Sequence, residues 1–294
     1  MNSFTIKDLE TISGIKAHTI RIWEQRYSLI KPLRTNTNIR RYSSDELRQL
    51  LNISLLNKNG FKISRISKMA EAEVQEKILS LSNLDAQRDR QVNELIAKLS
   101  SMQLDEFEKQ IDSYILSRGI EKTITQLIFP FLEKIGILWL TNNINPAQEH
   151  LVTNIIRSKL INGIENIRIQ NKLNKSFLLF LPESEYHELG LLFVHYLLKS
   201  RGAKVYYLGA NIPLKDAAFV IRNLRPDTIY IHLSSTTSKF NFGKFLQLLK
   251  IHAGKTPVII SGYITQLYNK QVPEGFHLKK SLAGVMEYIS SLDA

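Results

Sequence analysis

Residues 177–190 read FLLFLPESEYHELG, and the fold of the C-terminal half turns on them. Phe177–Leu181 is a short, wholly apolar run, the pattern of a strand buried on both faces. Pro182 ends it, and a helix is predicted from about Glu188 to Ser200. The loop between them carries Glu185-x-His187-x-x-Gly190. An imidazole leaving a strand tip, with a carboxylate two residues earlier, is placed to ligate a metal. The carboxylate holds one ring nitrogen so that the other points at the ion. An unligated surface histidine is the competing reading of the same residues.

Working outward, strand-like runs recur at Lys204–Leu208, Thr228–Leu233 and Val258–Ile260. Helical spacing alternates with them at Leu214–Leu224, Phe242–His252 and Leu282–Ser291. Such alternation predicts a doubly wound, flavodoxin-like parallel sheet over 174–294, with ligand sites at the carboxyl ends of the strands. Residues 72–170 are helical by pattern: Val74–Leu81, Ala86–Met102, Leu104–Ser117 and Glu121–Leu140, with Pro130 expected to kink or interrupt the last. A loop at Asn142–Asn145 and a long helix from Pro146 complete a predicted four-helix bundle. Trp139, followed after nine residues by Glu149-His150, reads by itself as a core side chain and a surface pair.

The chain of 294 residues carries a net charge of +12, and a net +8 of it lies in residues 1–70. Such a concentration, interleaved with Trp23, Tyr27, Tyr42 and Phe61, suits a polyanion partner, double-stranded DNA above all. Thr5 and Asp8 have capping-box spacing at the start of a helix that Gly14 breaks. A second helix runs from about Lys16 to Tyr27, with Trp23 read as core and Ile20 and Ile22 as core or near-core. This is the helix-turn-helix order, in which the second helix enters the major groove. Pro32–Arg41 reads as a loop or small β-wing, and Ser43 or Ser44 caps a third helix that Gly60 ends.

Several motifs in this segment keep a known order. Thr19-Ile20-Arg21-Ile22-Trp23-Glu24-Gln25-Arg26-Tyr27, Pro32, Arg40-Arg41-Tyr42-Ser43 and Gly60-Phe61 together resemble the winged-helix DNA-binding domain of MerR-family regulators. The Trp-Glu-x-Arg-Tyr form is similar to the CarA/CarH/LitR branch of that family. The resemblance implies that His18 and Arg21 face the groove, that Arg26 joins the DNA contacts, and that Arg40, Arg41 and Tyr42 on the wing hold phosphates.

The other motifs resemble a cobalamin-binding domain. Glu185-x-His187-x-x-Gly190 is similar to the Asp-x-His-x-x-Gly motif whose histidine is the lower axial cobalt ligand. Gly209, in the turn Leu208–Asn211, resembles the turn after the second strand. Ser234-Ser235-Thr236 resembles the Ser-x-Leu site, and Ser261-Gly262 stands where the family has Gly-Gly. Trp139-x9-Glu149-His150 resembles the bundle signature of the light-sensing branch, where those side chains cover the upper face and the adenosyl group. Three departures stand out. Glu185 replaces Asp. Ser261 replaces a glycine that gives close backbone approach to the nucleotide tail. Leu140 follows Trp139 where the photoreceptors often have a histidine, which removes that histidine as a second cobalt ligand.

The resemblance as a whole implies a multidomain α and α/β chain: winged helix-turn-helix over 1–70, helical bundle over 72–170 and cobalamin-binding sheet over 174–294. It implies a cytoplasmic repressor, a homo-oligomer (dimer or tetramer) bound to operator DNA. Adenosylcobalamin or another cobalamin is its cofactor, and photolysis changes oligomerisation and DNA affinity. A MerR-type regulator whose sensor binds no cobalamin and acts through protein contacts is the alternative. An adenosylcobalamin enzyme is disfavoured, because no substrate barrel of about 250 residues is present. No apolar segment approaches a membrane span, and residues 1–10 lack the apolar core of a signal peptide. The absence of cysteine excludes disulfides, thiolate metal sites and cysteine nucleophiles, and favours imidazole, at His187, as a metal ligand.

Overall fold

The computed structural model describes residues 4–35, 38–140, 144–169, 173–234 and 240–293, with the backbone alone at 137–140 and 293. They form two compact units, Met1–Ile155 and Ile156–Ala294.

In the first unit, Thr5 caps α1 (Ile6–Ser13) in a reciprocal capping box with Asp8. Gly14, at φ +72°, closes that helix in the left-handed region, which a residue without Cβ enters without strain. Then come α2 (Ala17–Tyr27) and the two-residue strands β1 (Leu33–Arg34) and β2 (Arg40–Arg41), paired antiparallel as a small wing. Phe4 bridges to Tyr42 just beyond β2, through two backbone hydrogen bonds of 2.8 and 2.9 Å. Ser43 caps α3 (Ser44–Lys58) in a second capping box, with Glu46. Phe4, Leu9, Ile20, Tyr42, Leu47 and Leu50 fill the space between these elements.

Short helices α4 (Ile63–Ile66) and α5 (Glu71–Leu79) lead into the bundle. Its helices are α6 (Leu84–Ser100), α7 (Leu104–Arg118), α8 (Ile120–Thr123) continued by a π-helical turn (Ile124–Ile128) into α9 (Phe129–Leu140), and α10 (Pro146–Glu165). The chain does not break at Pro130. Proline lacks an N–H and its ring crowds the carbonyl four residues back. The wider π turn just before it absorbs both effects while helix continues on either side. α10 starts on its proline, whose missing N–H costs nothing at the first helical position. It runs through the division between the units.

The second unit is a five-stranded parallel sheet: β3 (Ser176–Pro182), β4 (Lys204–Ile212), β5 (Thr228–His232), β6 (Val258–Ser261) and β7 (Phe276–Lys279), in spatial order β4-β3-β5-β6-β7. α11 (Leu189–Ser200), α12 (Leu214–Leu224), α13 (Phe242–Ala253), α14 (Ile264–Leu267) and α15 (Leu282–Ser290) complete the unit. β7 is absent from the sequence reading. As an edge strand it buries Phe276 and exposes His277, so no apolar run marks it. This order puts the switch point between β3 and β5, where the loops leaving the two strands diverge and open a crevice. The register between β3 and β4 shifts around the Phe180–Gly209 pair.

Candidate functional site

The loop after β3 is built around a buried carboxylate. Ser184 takes φ +71° and donates its N–H to Asn211 Oδ1 at 2.9 Å. The Asn211 N–H donates to the Glu185 carbonyl at 3.0 Å, so the end of β4 holds the loop in place. Glu185, 3% exposed, accepts the His187 backbone N–H at 2.9 Å and lies 2.7 Å from its Nδ1. A carboxylate only accepts, so Nδ1 carries the proton and Nε2 is the nitrogen with a lone pair for a metal. The His187 side chain is 62% exposed. The extra methylene of Glu185 therefore does not loosen the dyad.

Beside it, Glu188 accepts the Tyr207 hydroxyl at 2.8 Å and pairs with Arg157 of α10 at 3.4 Å. Gly209, at φ +86°, leaves room for this carboxylate: a Cβ there would lie 3.3 Å from Glu188 Oε1. His195 stacks on Tyr207 with ring centroids 5.0 Å apart, and its buried Nδ1 has no hydrogen-bond partner among the described residues. Burial pushes the His195 pKa down to about 4 and raises that of the Tyr207 phenol, Glu188 adding to the latter.

Side chains at the ends of β5 and β6 reach this crevice. Tyr230 donates to Ser261 Oγ at 2.7 Å, and Ser261 Oγ lies 2.8 Å from His232 Nδ1. Tyr230 and Ser261 are buried, and burial lowers the pKa of the His232 ring to about 4. That ring presses on Gly190, where a Cβ would stand 2.3 Å from Nε2. Gly262, at φ +102°, lies flat on the backbone of Leu233, whose carbonyl oxygen a Cβ would meet at 2.2 Å. Ser234 is half-buried, and Thr236 lies outside the described residues. Gly190, Ser261 and Gly262 thus converge on the ends of β5 and β6.

On α10, Glu149 accepts the Thr153 hydroxyl at 2.8 Å, and exposed His150 sits 3.5 Å from its other oxygen. Trp139 is on α9, with its side chain outside the described residues.

In the first unit, His18, Arg21 and Arg26 are exposed on α2. Trp23 is buried, and Ile20 is fully so. Ile22, read as core or near-core, is 48% exposed. Two residues along a helix is about 200° of rotation, so Ile20 and Ile22 face opposite sides. Tyr42, expected on the DNA, is 1% exposed and corrects that expectation. Its bridge to Phe4 turns the ring into the core, where the hydroxyl reaches Glu24 at 3.3 Å, and burial drives its pKa up to about 12. Arg40 donates Nε to both oxygens of the same Glu24, at 3.1 and 3.0 Å, which raises its pKa and ties the wing to α2. Arg41 is half-buried beside it.

Sequence reading missed Arg157, Glu188, Tyr207, Asn211 and His232. His232 had a signal, a polar ring ending the apolar run of β5. Arg157 had none, since only the tertiary fold brings it to Glu188.

Models of known families match three segments. Residues 4–73 match the MerR HTH family of regulatory proteins. Residues 91–161 and 176–276 each match a B12 binding domain. The chain thus carries a MerR-type helix-turn-helix domain and B12-binding domains. It is 24% identical over 243 residues to the HTH-type transcriptional repressor CarH of Myxococcus xanthus, covering 81% of this chain and 80% of the relative. Over 259 residues it is 24% identical to CarA of the same organism, covering 87% and 85%. Among solved structures, a monomethylamine corrinoid protein of Methanosarcina barkeri aligns with 70% of this chain and 95% of its own, at 14% identity and a TM-score of 0.49.

Proposed function

We propose that this chain, which joins a MerR-type helix-turn-helix domain to B12-binding domains, is a cobalamin-dependent repressor of transcription. One observation carries the cofactor half of the reading. Glu185, buried and tied by Asn211, orients an exposed His187 at the switch point of a doubly wound sheet. That donor suits an ion that arrives with most of its coordination already filled, since one imidazole is enough for it. Among the described residues, moreover, no group of three or more His, Asp or Glu could hold a bare ion. His187 is the proposed lower axial ligand of cobalt. Trp139, Glu149 and His150 are the proposed contacts to an upper adenosyl group.

Adenosylcobalamin supplies, when bound, a light-sensitive cobalt–carbon bond, and light responsiveness is part of the proposal. His187 would hold the metal through Nε2 while Glu185 keeps the proton on Nδ1. Asn211 ties the loop to the end of β4 through Ser184 and Glu185. In the first unit, exposed His18, Arg21 and Arg26 on α2 address the groove, and Arg40, locked to Glu24, sets the wing against the flanking phosphates. Self-association into a dimer or tetramer doubles the phosphate contacts or more, so the oligomeric state governs DNA affinity steeply.

Reconstitution with adenosylcobalamin in the dark, followed by desalting, tests the reading. A retained corrin band, lost in His187→Ala, supports it. Size exclusion and operator binding in dark and light then test the response. No band retained by the wild-type chain from adenosylcobalamin or from a corrinoid without the nucleotide tail would sink the corrin reading and leave a sensor that works through protein contacts.

A further inference from the structure

The site fits a corrin at its metal end and disagrees with one at its other end. The resemblance implies that Gly190, Ser261 and Gly262 lie against the ligand, with Ser261 beside its nucleotide tail. In the structure the space those residues leave is taken. The His232 ring lies over Gly190, closely enough that a methyl group there would sit 2.3 Å from Nε2. Its Nδ1 is 2.8 Å from Ser261 Oγ, and that hydroxyl is held in turn by Tyr230. On the far side Gly262 is pressed onto Leu233, where a Cβ would find no room. The serine standing in place of a glycine is therefore not a stray substitution. It is the anchor of a three-residue chain, Tyr230–Ser261–His232, that links the ends of β5 and β6.

We infer that His232 is the residue that determines which lower appendage of a corrinoid this chain accepts. Resting on the corrin reading above, the inference is steric: a bulky nucleotide tail entering between Gly190 and Ser261 must break the His232–Ser261 bond and swing the ring out. A corrinoid without the tail reaches His187 with the ring in place. His232 is thus a specificity-determining plug, and the chain favours tail-less or short-tailed corrinoids over cobalamin. The cost falls on the tailed ligand alone, because breaking the part-buried His232–Ser261 hydrogen bond and lifting the half-buried ring off Gly190 opposes binding while the tail-less ligand leaves both intact. One such bond corresponds to about tenfold in affinity.

The test uses the full chain, titrated in dim red light with adenosylcobalamin and with adenosylcobinamide. The two share the corrin and the upper group and differ in the tail. Binding is read from the visible spectrum. The wild-type chain is expected to bind adenosylcobinamide at least as tightly as adenosylcobalamin. His232→Gly is expected to tighten adenosylcobalamin by about tenfold and to leave adenosylcobinamide within twofold. Ser261→Gly, which keeps the ring but removes its anchor, should shift the same ratio in the same direction by less. It carries the test alone if His232→Gly does not fold by circular dichroism. A cobalamin-to-cobinamide ratio unchanged by these variants overturns the plug, whatever the wild type prefers. Tighter wild-type binding of adenosylcobalamin than adenosylcobinamide, weakened by His232→Gly, overturns it too and makes the ring a contact to the tail. Failure of both corrinoids to bind any variant is a different result: it removes the corrin reading itself, and this inference with it.

Discussion

Gly262→Ala is expected to be among the most damaging single-methyl additions in the second unit. Two separate effects act on it. The residue sits at φ +102°, where an L side chain costs roughly 1–2 kcal/mol. The new Cβ would also lie 2.2 Å from the Leu233 carbonyl oxygen and under 3 Å from its carbonyl carbon and amide nitrogen. Those are backbone atoms, which cannot rotate away as a side chain can, so β5 and β6 must separate at their ends. Overpacking of this kind adds about 1–3 kcal/mol. Together they give about 3 kcal/mol, which for a unit of this size lowers the melting temperature by roughly 10 °C. Gly275→Ala is the matched control: φ is +81° and nothing lies within 4 Å of its Cβ. It should show only the backbone cost, about 1 kcal/mol. Urea unfolding at neutral pH compares the two. If they destabilise equally, the contact with Leu233 contributes nothing and the close packing argued for the ends of β5 and β6 is wrong.

Three further outcomes follow from the same geometry. Glu185→Gln should weaken corrinoid binding by about 10–100-fold, because His187 loses the anion that fixes its proton on Nδ1; unchanged titration would show that the carboxylate does not orient the ring. Above pH 6.5 His195 is neutral whether the chain is folded or not, but between 6.5 and about 4 the unfolded chain takes up a proton that the buried ring refuses, so the second unit loses stability as pH falls through that window. His195→Phe keeps the stack on Tyr207 and should make urea midpoints markedly less pH-dependent there, His232 supplying the remainder; an unaltered pH profile would exclude His195 as a cause. Arg41→Ala should lower DNA affinity across sequences and reduce the log–log salt slope by about one, whereas Tyr42→Phe should cost about 1 kcal/mol of stability through the lost Glu24 bond and leave that slope alone. A changed slope in Tyr42→Phe would return the ring to the DNA.

Much of the architecture was legible because its causes are local. The capping boxes at Thr5 and Ser43 need only a hydroxyl and a carboxylate three residues apart. Phe177–Leu181 is apolar throughout because β3 is central and covered on both faces. The Glu185–His187 dyad spans two residues of one loop, so its chemistry could be named before its geometry was known. The tertiary structure decided what depends on direction and on distant partners. A bridge to Phe4 turned Tyr42 inward although its neighbours Arg40 and Arg41 are basic wing residues, and helical rotation sent Ile22 outward although Ile20 is core. β7 exists because β6 offers it a ladder, not because its own residues form an apolar run. Arg157, Glu188 and Tyr207 meet only when α10, the loop after β3 and β4 are brought together. Above all, the family resemblance implies Gly190 and Ser261 as ligand positions, but only packing reveals that one ring, His232, lies beside both. A side chain's type and spacing are written in the chain; the volume it fills is set by neighbours that folding supplies.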